Sequence, residues 1–264
     1  MVRYRRRGMY GFLLRPKWIG FHLLCVGAIL GMISLGFWQL RRLDEKQLFN
    51  DKVTTNTNAE VAPLGELLDS PPSDVAYRRV EVTGSYLPTP QFEMVNVAQD
   101  GLNGRNVINA FRLEDGSLAL VNRGFIPAGS PVPAPPSGEV QLLGRVKPGQ
   151  TAGTGQPRDD GSQQLTEIRR VDLGALGQQF DEPLATVYLE LLQSSPAEPE
   201  YVSPVAFPSL GEGPHLSYAI QWFIFSASVA AGWVFAIRKS ISDRTKPKQP
   251  SKFKAVERYD PAAS

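Results

Sequence analysis

From Leu216 to Ile237 the chain carries no charged residue, and Arg238-Lys239 follow at once. At ~1.5 Å per residue, a helix of that length crosses the ~30 Å hydrocarbon core of a bilayer and satisfies its own backbone hydrogen bonds there. Trp18 to Leu40 is a second uncharged apolar run, with Arg15 and Lys17 before it and Arg41-Arg42 after. Two such runs constrain everything else. They bracket about 175 residues, the size of a compact domain, and return both ends of that segment to the same side of a membrane.

The formal net charge of +2 averages over unlike parts. Met1–Lys17 holds six basic and no acidic residues, and Arg238–Ser264 holds eight basic and three acidic. The remainder has 14 basic and 23 acidic side chains, a net of −9. Lys and Arg beside span ends favour the cytoplasmic side, so both termini are expected inside and the central domain outside. The expected division is a basic tail (1–17), a span (18–40), an extracytoplasmic domain (41–215), a second span (216–237) and a basic, disordered tail (238–264). Arg5-Arg6-Arg7 suggests an export signal, but the apolar run behind it is longer than a signal core and lacks an Ala-x-Ala exit, so an uncleaved anchor is expected. The lone cysteine, Cys25, lies inside the first run, and the domain folds without disulfides.

Between the runs the pattern is one of strands and turns. Tyr77–Leu87, Phe92–Ala98, Val107–Leu113, Leu118–Ile126, Glu139–Val146 and Leu184–Leu192 are rich in β-formers, with Glu114-Asp-Gly-Ser117 as a hairpin turn. Short helices are expected within Val61–Leu68 and Ile168–Phe180, an extended loop at Pro127–Pro136 and a flexible excursion at Lys147–Gln164. The fold class is thus a two-helix transmembrane hairpin flanking an inserted, mainly antiparallel β domain of the α+β class, barrel-like or sandwich-like. Gly27-x-x-x-Gly31 in the first span and Ser226/Ala230, Ala227/Ala231 and Ser228/Gly232 in the second are expected to let the two helices pack.

From Arg41 to Pro214 the chain has neither His nor Cys, which removes Ser-His-Asp, Cys-His and His-rich metal chemistry from the domain. Asp159-Asp160 is expected to be a solvated turn. Gly153-Thr-Gly155 lacks the lysine and the strand–loop–helix setting of a phosphate loop. Arg78-Arg79 and Arg169-Arg170 sit in an acidic domain, against nucleic-acid binding. No enzymatic activity is expected. The polar residues at the span ends remain. His215, Tyr218 and Trp222, spaced i, i+3, i+7, share a helix face with Gln221 beside them, while Trp38, Gln39 and Arg42 leave the first span at the same depth. Together they suit haem: His215 to ligate the iron, the aromatics to flank the macrocycle, Arg42 to meet a propionate. A locally bonded interfacial histidine is the plainer alternative for His215. His22 lies ~24 Å from Trp38 along the helix and is assigned a structural role.

Four ordered motifs carry a resemblance. Gly36-x-Trp-Gln-x-x-Arg42-x-x-x-Lys46, Tyr77-Arg-Arg-Val-x-Val-x-Gly84, Val121-Asn-Arg-Gly-Phe-Ile-Pro127 and His215-Leu-x-Tyr-Ala-x-Gln-Trp-Phe223 resemble the Surfeit locus protein 1 (Shy1) family, in order from about Trp18 to Lys239. Phe125 stands where the family pattern has tryptophan. The resemblance implies an assembly factor for haem-copper cytochrome c oxidase that acts in delivering haem a to the catalytic subunit. It implies as partners the oxidase subunits and the machinery that makes or delivers haem a, and it makes His215 the favoured haem ligand. The alternative function is a structural accessory that docks on the oxidase without binding haem. With no long presequence visible, a bacterial plasma membrane is expected rather than a mitochondrion.

Overall fold

The computed structural model describes residues 10–245, so about half of the basic N-terminal tail and most of the C-terminal tail lie outside the described residues. The expectation of disorder from 238 onward is corrected for 238–245, which continue the last helix. Two compact units are present: one holds the chain up to Lys46 and from Glu212 onward, the other is Gln47–Gly211.

The first unit is a helical hairpin. Helix α1 (Pro16–Asn58) contributes its residues up to Lys46, and α4 (His215–Thr245) packs antiparallel to it. Both are long and apolar enough to cross a membrane, and most of their apolar surface is uncovered by protein. Among the covered residues one series recurs in alternating steps of four and three: His22, Cys25, Ile29, Met32, Gly36, Gln39 and Leu43 on α1, and His215, Ala219, Trp222, Ser226, Val229, Trp233, Ala236 and Ser240 on α4, with further partly covered residues such as Ile33, Phe223 and Ala230 beside it. That is the period of a left-handed supercoiled seam. The helices come close at Gly36, where a Cβ would stand 2.6 Å from the Phe223 ring, and Phe223 packs edge-on against Phe37 at 5.6 Å. The expected role of Gly27 and Gly31 is therefore corrected: both are exposed and nothing lies within 4 Å of where a Cβ would be. Of the small residues expected opposite them, Ser226 and Ala230 do lie on the covered face.

The second unit is built on a closed barrel. In chain order it contains the last turns of α1, β1 (Ala62–Pro63), α2 (Leu64–Leu68), β2 (Arg79–Gln99), β3 (Leu102–Leu113), β4 (Leu118–Pro127), β5 (Val140–Pro148), β6 (Glu167–Ile168), α3 (Leu173–Leu176) and β7 (Leu184–Ser195). The ladders run β2-β3-β4-β7-β5 and return to β2, with β4 and β7 parallel and the other contacts of this ring antiparallel. This is a five-stranded barrel of the OB kind. Two expected strands, Tyr77–Leu87 and Phe92–Ala98, merge into the single β2, which pairs with β5 through its first half and β3 through its second. Gly84 stands where the strand is handed over, and a Cβ there would collide with the Arg112 carbonyl.

Alternate residues on the strands fill two large cores, and Val107 and Ile126 form a third, small one with Val202. Val80, Phe111, Val121, Leu142, Val187 and Leu189 point into the barrel with Tyr86. Ile108, Ala110, Leu118, Leu120 and Tyr188 point outward and are roofed by Ile168, Val171 and Leu176. This second layer covers the β3–β4 face, the one on which OB-type barrels hold oligonucleotides and oligosaccharides. It also makes β4 buried on both faces, which is why Leu118–Ile126 is an almost unbroken apolar run. The segment before α3, expected to be a flexible excursion, is tied down: Asp159 accepts from the Arg169 backbone and guanidinium at 3.0 Å, and Gln150 bonds Val171 in both directions. Asp159 is correspondingly no solvated turn, its side chain being only 5% exposed.

Candidate functional site

The barrel motifs prove to be fasteners. Arg78 and Arg79 donate to the carbonyls of Glu60 and Ala59, just past the end of α1, at 3.1 and 3.3 Å. Cations at a helix C-terminus meet carbonyls that lack intrahelical partners. Tyr77, at φ 71°, takes a hydrogen bond from Lys147 and packs edge-on between Phe49 and Phe207. Arg123 is buried completely, and all five of its N–H groups are used. Nε and Nη2 donate to Glu198 at 2.8 and 2.6 Å; Nη1 donates to Asn109 and the Pro133 carbonyl, and Nη2 also to Ala134. Gly124 follows at φ 141°, where the Ser203 carbonyl leaves no room for a Cβ. A second buried pair, Arg145–Glu190 at 2.7 Å, lies beneath Val205 and Phe207. None of these ion pairs was legible beforehand. The available signal was an Asn-Arg pair inside a run too apolar to be a surface strand.

The motifs at the hairpin's domain end make a different arrangement. His215 is the first residue of α4, and its Nδ1 lies 2.8 Å from the side-chain oxygen of Gln39 across the seam. An amide oxygen only accepts, so Nδ1 is the donor, and in the neutral imidazole Nε2 then keeps its lone pair. Gly213, at φ 72°, stands beside that nitrogen: a Cβ there would come within 3.4 Å of Nε2. The chain therefore engages one imidazole nitrogen, and no described residue hydrogen-bonds the other. Trp222 is half-buried two steps along the seam from His215, beyond Ala219, and packs edge-on against Phe225 at 6.0 Å.

The other expected site residues are spread more widely. Tyr218 and Trp38 are 48% and 46% exposed. Arg42 pairs with Glu45 on its own helix at 2.6 Å, with both side chains largely exposed. Gln221 is exposed: two residues from the seam residue Ala219, it points ~200° away from the seam. The structure thus joins His215 to Gln39, sets the Trp222–Phe225 pair about two turns or more further along α4, and leaves Trp38, Arg42 and Tyr218 exposed. Phe225 was not foreseen, because a phenylalanine in an apolar run carries no signal of its own.

At the other end of the hairpin, His22 is held in the opposite sense. The Trp233 indole donates to its Nδ1 at 2.8 Å. An indole only donates, so in neutral His22 the proton sits on Nε2 and no lone pair is left to offer a metal. Among the described residues no group of three or more His, Cys, Asp or Glu side chains is placed to hold a metal ion.

Comparison with known proteins agrees with the four motifs. The profile of the SURF1 family matches residues 26–227. An uncharacterised SURF1-like protein of Mycobacterium bovis is 31% identical over 251 residues, covering 91% of this chain and 90% of its own. A SURF1-like protein of Rickettsia felis is 26% identical over 218 residues, covering 80% and 94%. The Surfeit locus protein 1 of Takifugu rubripes is 27% identical over 241 residues, covering 79% and 93%.

Proposed function

We propose that this chain, which belongs to the SURF1 family, is an assembly factor for haem-copper cytochrome c oxidase that holds haem a at the domain end of its membrane hairpin. In this reading haem a is cargo, taken from the machinery that makes or delivers it and passed to the catalytic subunit. The protein performs no bond chemistry on it. The hairpin lies in a plasma membrane with both termini cytoplasmic and the barrel outside.

The observation that carries the reading is the His215–Gln39 pair. Ligating histidines characteristically donate their second ring N–H to an oxygen, which fixes the tautomer and aims the lone pair. Gln39 supplies that oxygen, and no described residue hydrogen-bonds Nε2. Trp222 and Phe225 offer apolar surface to a macrocycle, and Arg42 and Tyr218 are exposed, with polar groups for its propionates. A single protein ligand leaves the iron open to exchange, as a carrier requires.

The test is an absorption spectrum of protein purified from cells that make haem a. The wild type is expected to carry sub-stoichiometric haem, and His215→Ala none. Gln39→Leu is expected to bind ~10–100-fold more weakly, the usual loss when a ligand's orienting partner is removed. Haem-free wild type, or His215→Ala indistinguishable from it, overturns the reading.

A second reading has its own observation. Trp38, Tyr218 and Gln221 are exposed on the hairpin, and an amide facing hydrocarbon is costly unless a neighbouring helix satisfies it. As an accessory docked on the oxidase, the chain would co-purify with it whether or not haem a is made. Trp38→Ala and Tyr218→Ala would then weaken that association without altering haem content.

A further inference from the structure

The hairpin's terminal end carries a built arrangement that the haem reading does not use. The Arg244 guanidinium lies 4.0 Å over the ring of Phe12, which is only 5% exposed. Phe12 meets Trp18 edge-on at 5.2 Å, Trp18 meets His22 at 5.6 Å, and His22 meets Trp233 at 5.6 Å while accepting its indole N–H. The five groups form one continuous ladder from a cation down to an imidazole.

Two sets of donors on this ladder have no acceptor among the described residues. Arg244 has no hydrogen-bond or ion-pair partner among the described residues, so stacking on Phe12 holds its plane while its N–H edges stay available. His22 has its proton on Nε2, and no described residue accepts from it. Arg244 stacks on Phe12, Phe12 on Trp18 and Trp18 on His22, and Trp18 and His22 are about one helical turn, ~6 Å, apart, so the cation and the His22 donor occupy successive steps of the ladder. Arg15 and Lys17 add positive charge, and no acidic residue occurs on α1 before Asp44; on α4 the one acidic side chain at this end is Asp243.

We propose that this ladder binds one anionic phospholipid. Its phosphate would sit on the edge of Arg244, an acyl ester carbonyl would accept from His22 Nε2–H, and its chains would lie along the exposed apolar surface of α1. Charge complementarity and the order of the donors favour this ligand: anionic oxygens first, a neutral carbonyl deeper, hydrocarbon beyond. The site stands whether or not His215 binds haem.

The test is native mass spectrometry of the full chain released from nanodiscs of equal phosphatidylglycerol and phosphatidylcholine. Wild type is expected to retain about one phosphatidylglycerol. Arg244→Gln, a change at an exposed residue, is expected to lower that retention at least tenfold, as loss of charge-assisted hydrogen bonds implies. Arg238→Gln, equally basic but outside the ladder, should leave it unchanged. His22→Phe should reduce retention with the helicity of the hairpin intact. Equal retention of the two lipids overturns the proposal, as does an equal effect of Arg244→Gln and Arg238→Gln. Displacement of the adduct by millimolar inorganic phosphate would also overturn it, by identifying a phosphate site rather than a lipid site.

Discussion

Replacing Glu198 by alanine asks whether the Val121-Asn-Arg-Gly motif is a fastener or a docking surface. The Arg123 side chain is 0% exposed and that of Glu198 10%, and two of the five guanidinium hydrogen bonds go to this carboxylate. Glu198→Ala strands a buried cation and two donors at once, a loss of ~3–5 kcal/mol. In a domain of this size 1 kcal/mol moves the melting midpoint by ~2–4 °C, so a fall of roughly 10 °C is expected. Arg123→Met is expected to be milder. It removes the charge, keeps most of the volume, and leaves Glu198 close enough to the surface to hydrate, although Asn109 and the carbonyls of Pro133 and Ala134 lose their donor. The double change Arg123→Met/Glu198→Leu should recover much of the Glu198→Ala loss, since a buried pair replaced by apolar groups costs little. Thermal unfolding of the full chain, followed by near-ultraviolet circular dichroism, reads all three. Glu198→Ala within about 3 °C of wild type, roughly 1 kcal/mol, would refute the reasoning and return the motif to the list of contact surfaces.

Two further predictions concern single residues. The Tyr86 hydroxyl is buried inside the barrel with no hydrogen-bond partner among the described residues, and burial raises its pKa above the usual tyrosine range, the nearby Glu198 charge adding to the shift. A raised folded-state pKa means stability that is fully present below pH ~10 and is lost as pH rises through the folded value. Tyr86→Phe is therefore expected to be neutral or slightly stabilising at pH 7 and to diminish the alkaline loss of stability above pH 10, as melting curves across pH 7–11 would show; a destabilised variant at pH 7 would mean that the hydroxyl has a partner. Gly36→Leu places a side chain where even a Cβ would be 2.6 Å from the Phe223 ring, so that ring or its helix must give way within one turn of Gln39. It should lower haem retention about as much as Gln39→Leu, while Gly27→Leu, at an open position, leaves retention unchanged.

Much of the architecture is legible in the sequence because its causes are local. An uncharged run of bilayer length, a basic stop and an alternating strand each report on a few neighbouring residues. The turn at Glu114–Ser117 joins β3 to β4 as expected, and the extents of β4, β5 and β7 depart by only a few residues from the strands anticipated there. The seam of the hairpin is not legible in the same way. In a membrane span both the packed and the lipid-facing sides are apolar, so hydrophobic periodicity, which identifies the buried face of a soluble helix, is silent. Gly27-x-x-x-Gly31 looked like the contact for that reason, and Gly36 was the residue that made it.

What the sequence alone determined is that two spans hold an inserted β domain and that His215 and Gln39 lie at corresponding levels of those spans. Tertiary structure decided the rest. It joined the two side chains across the seam at 2.8 Å, made Nδ1 the donor and left Nε2 without a hydrogen bond to any described residue, while setting His22 in the reverse sense against Trp233. It turned Arg123 and Arg145 from apparent surface charges into buried fasteners. The reason is common to all of these: which atom of a side chain is occupied depends on residues 75, 176 or 211 positions away, and only the folded chain brings them together.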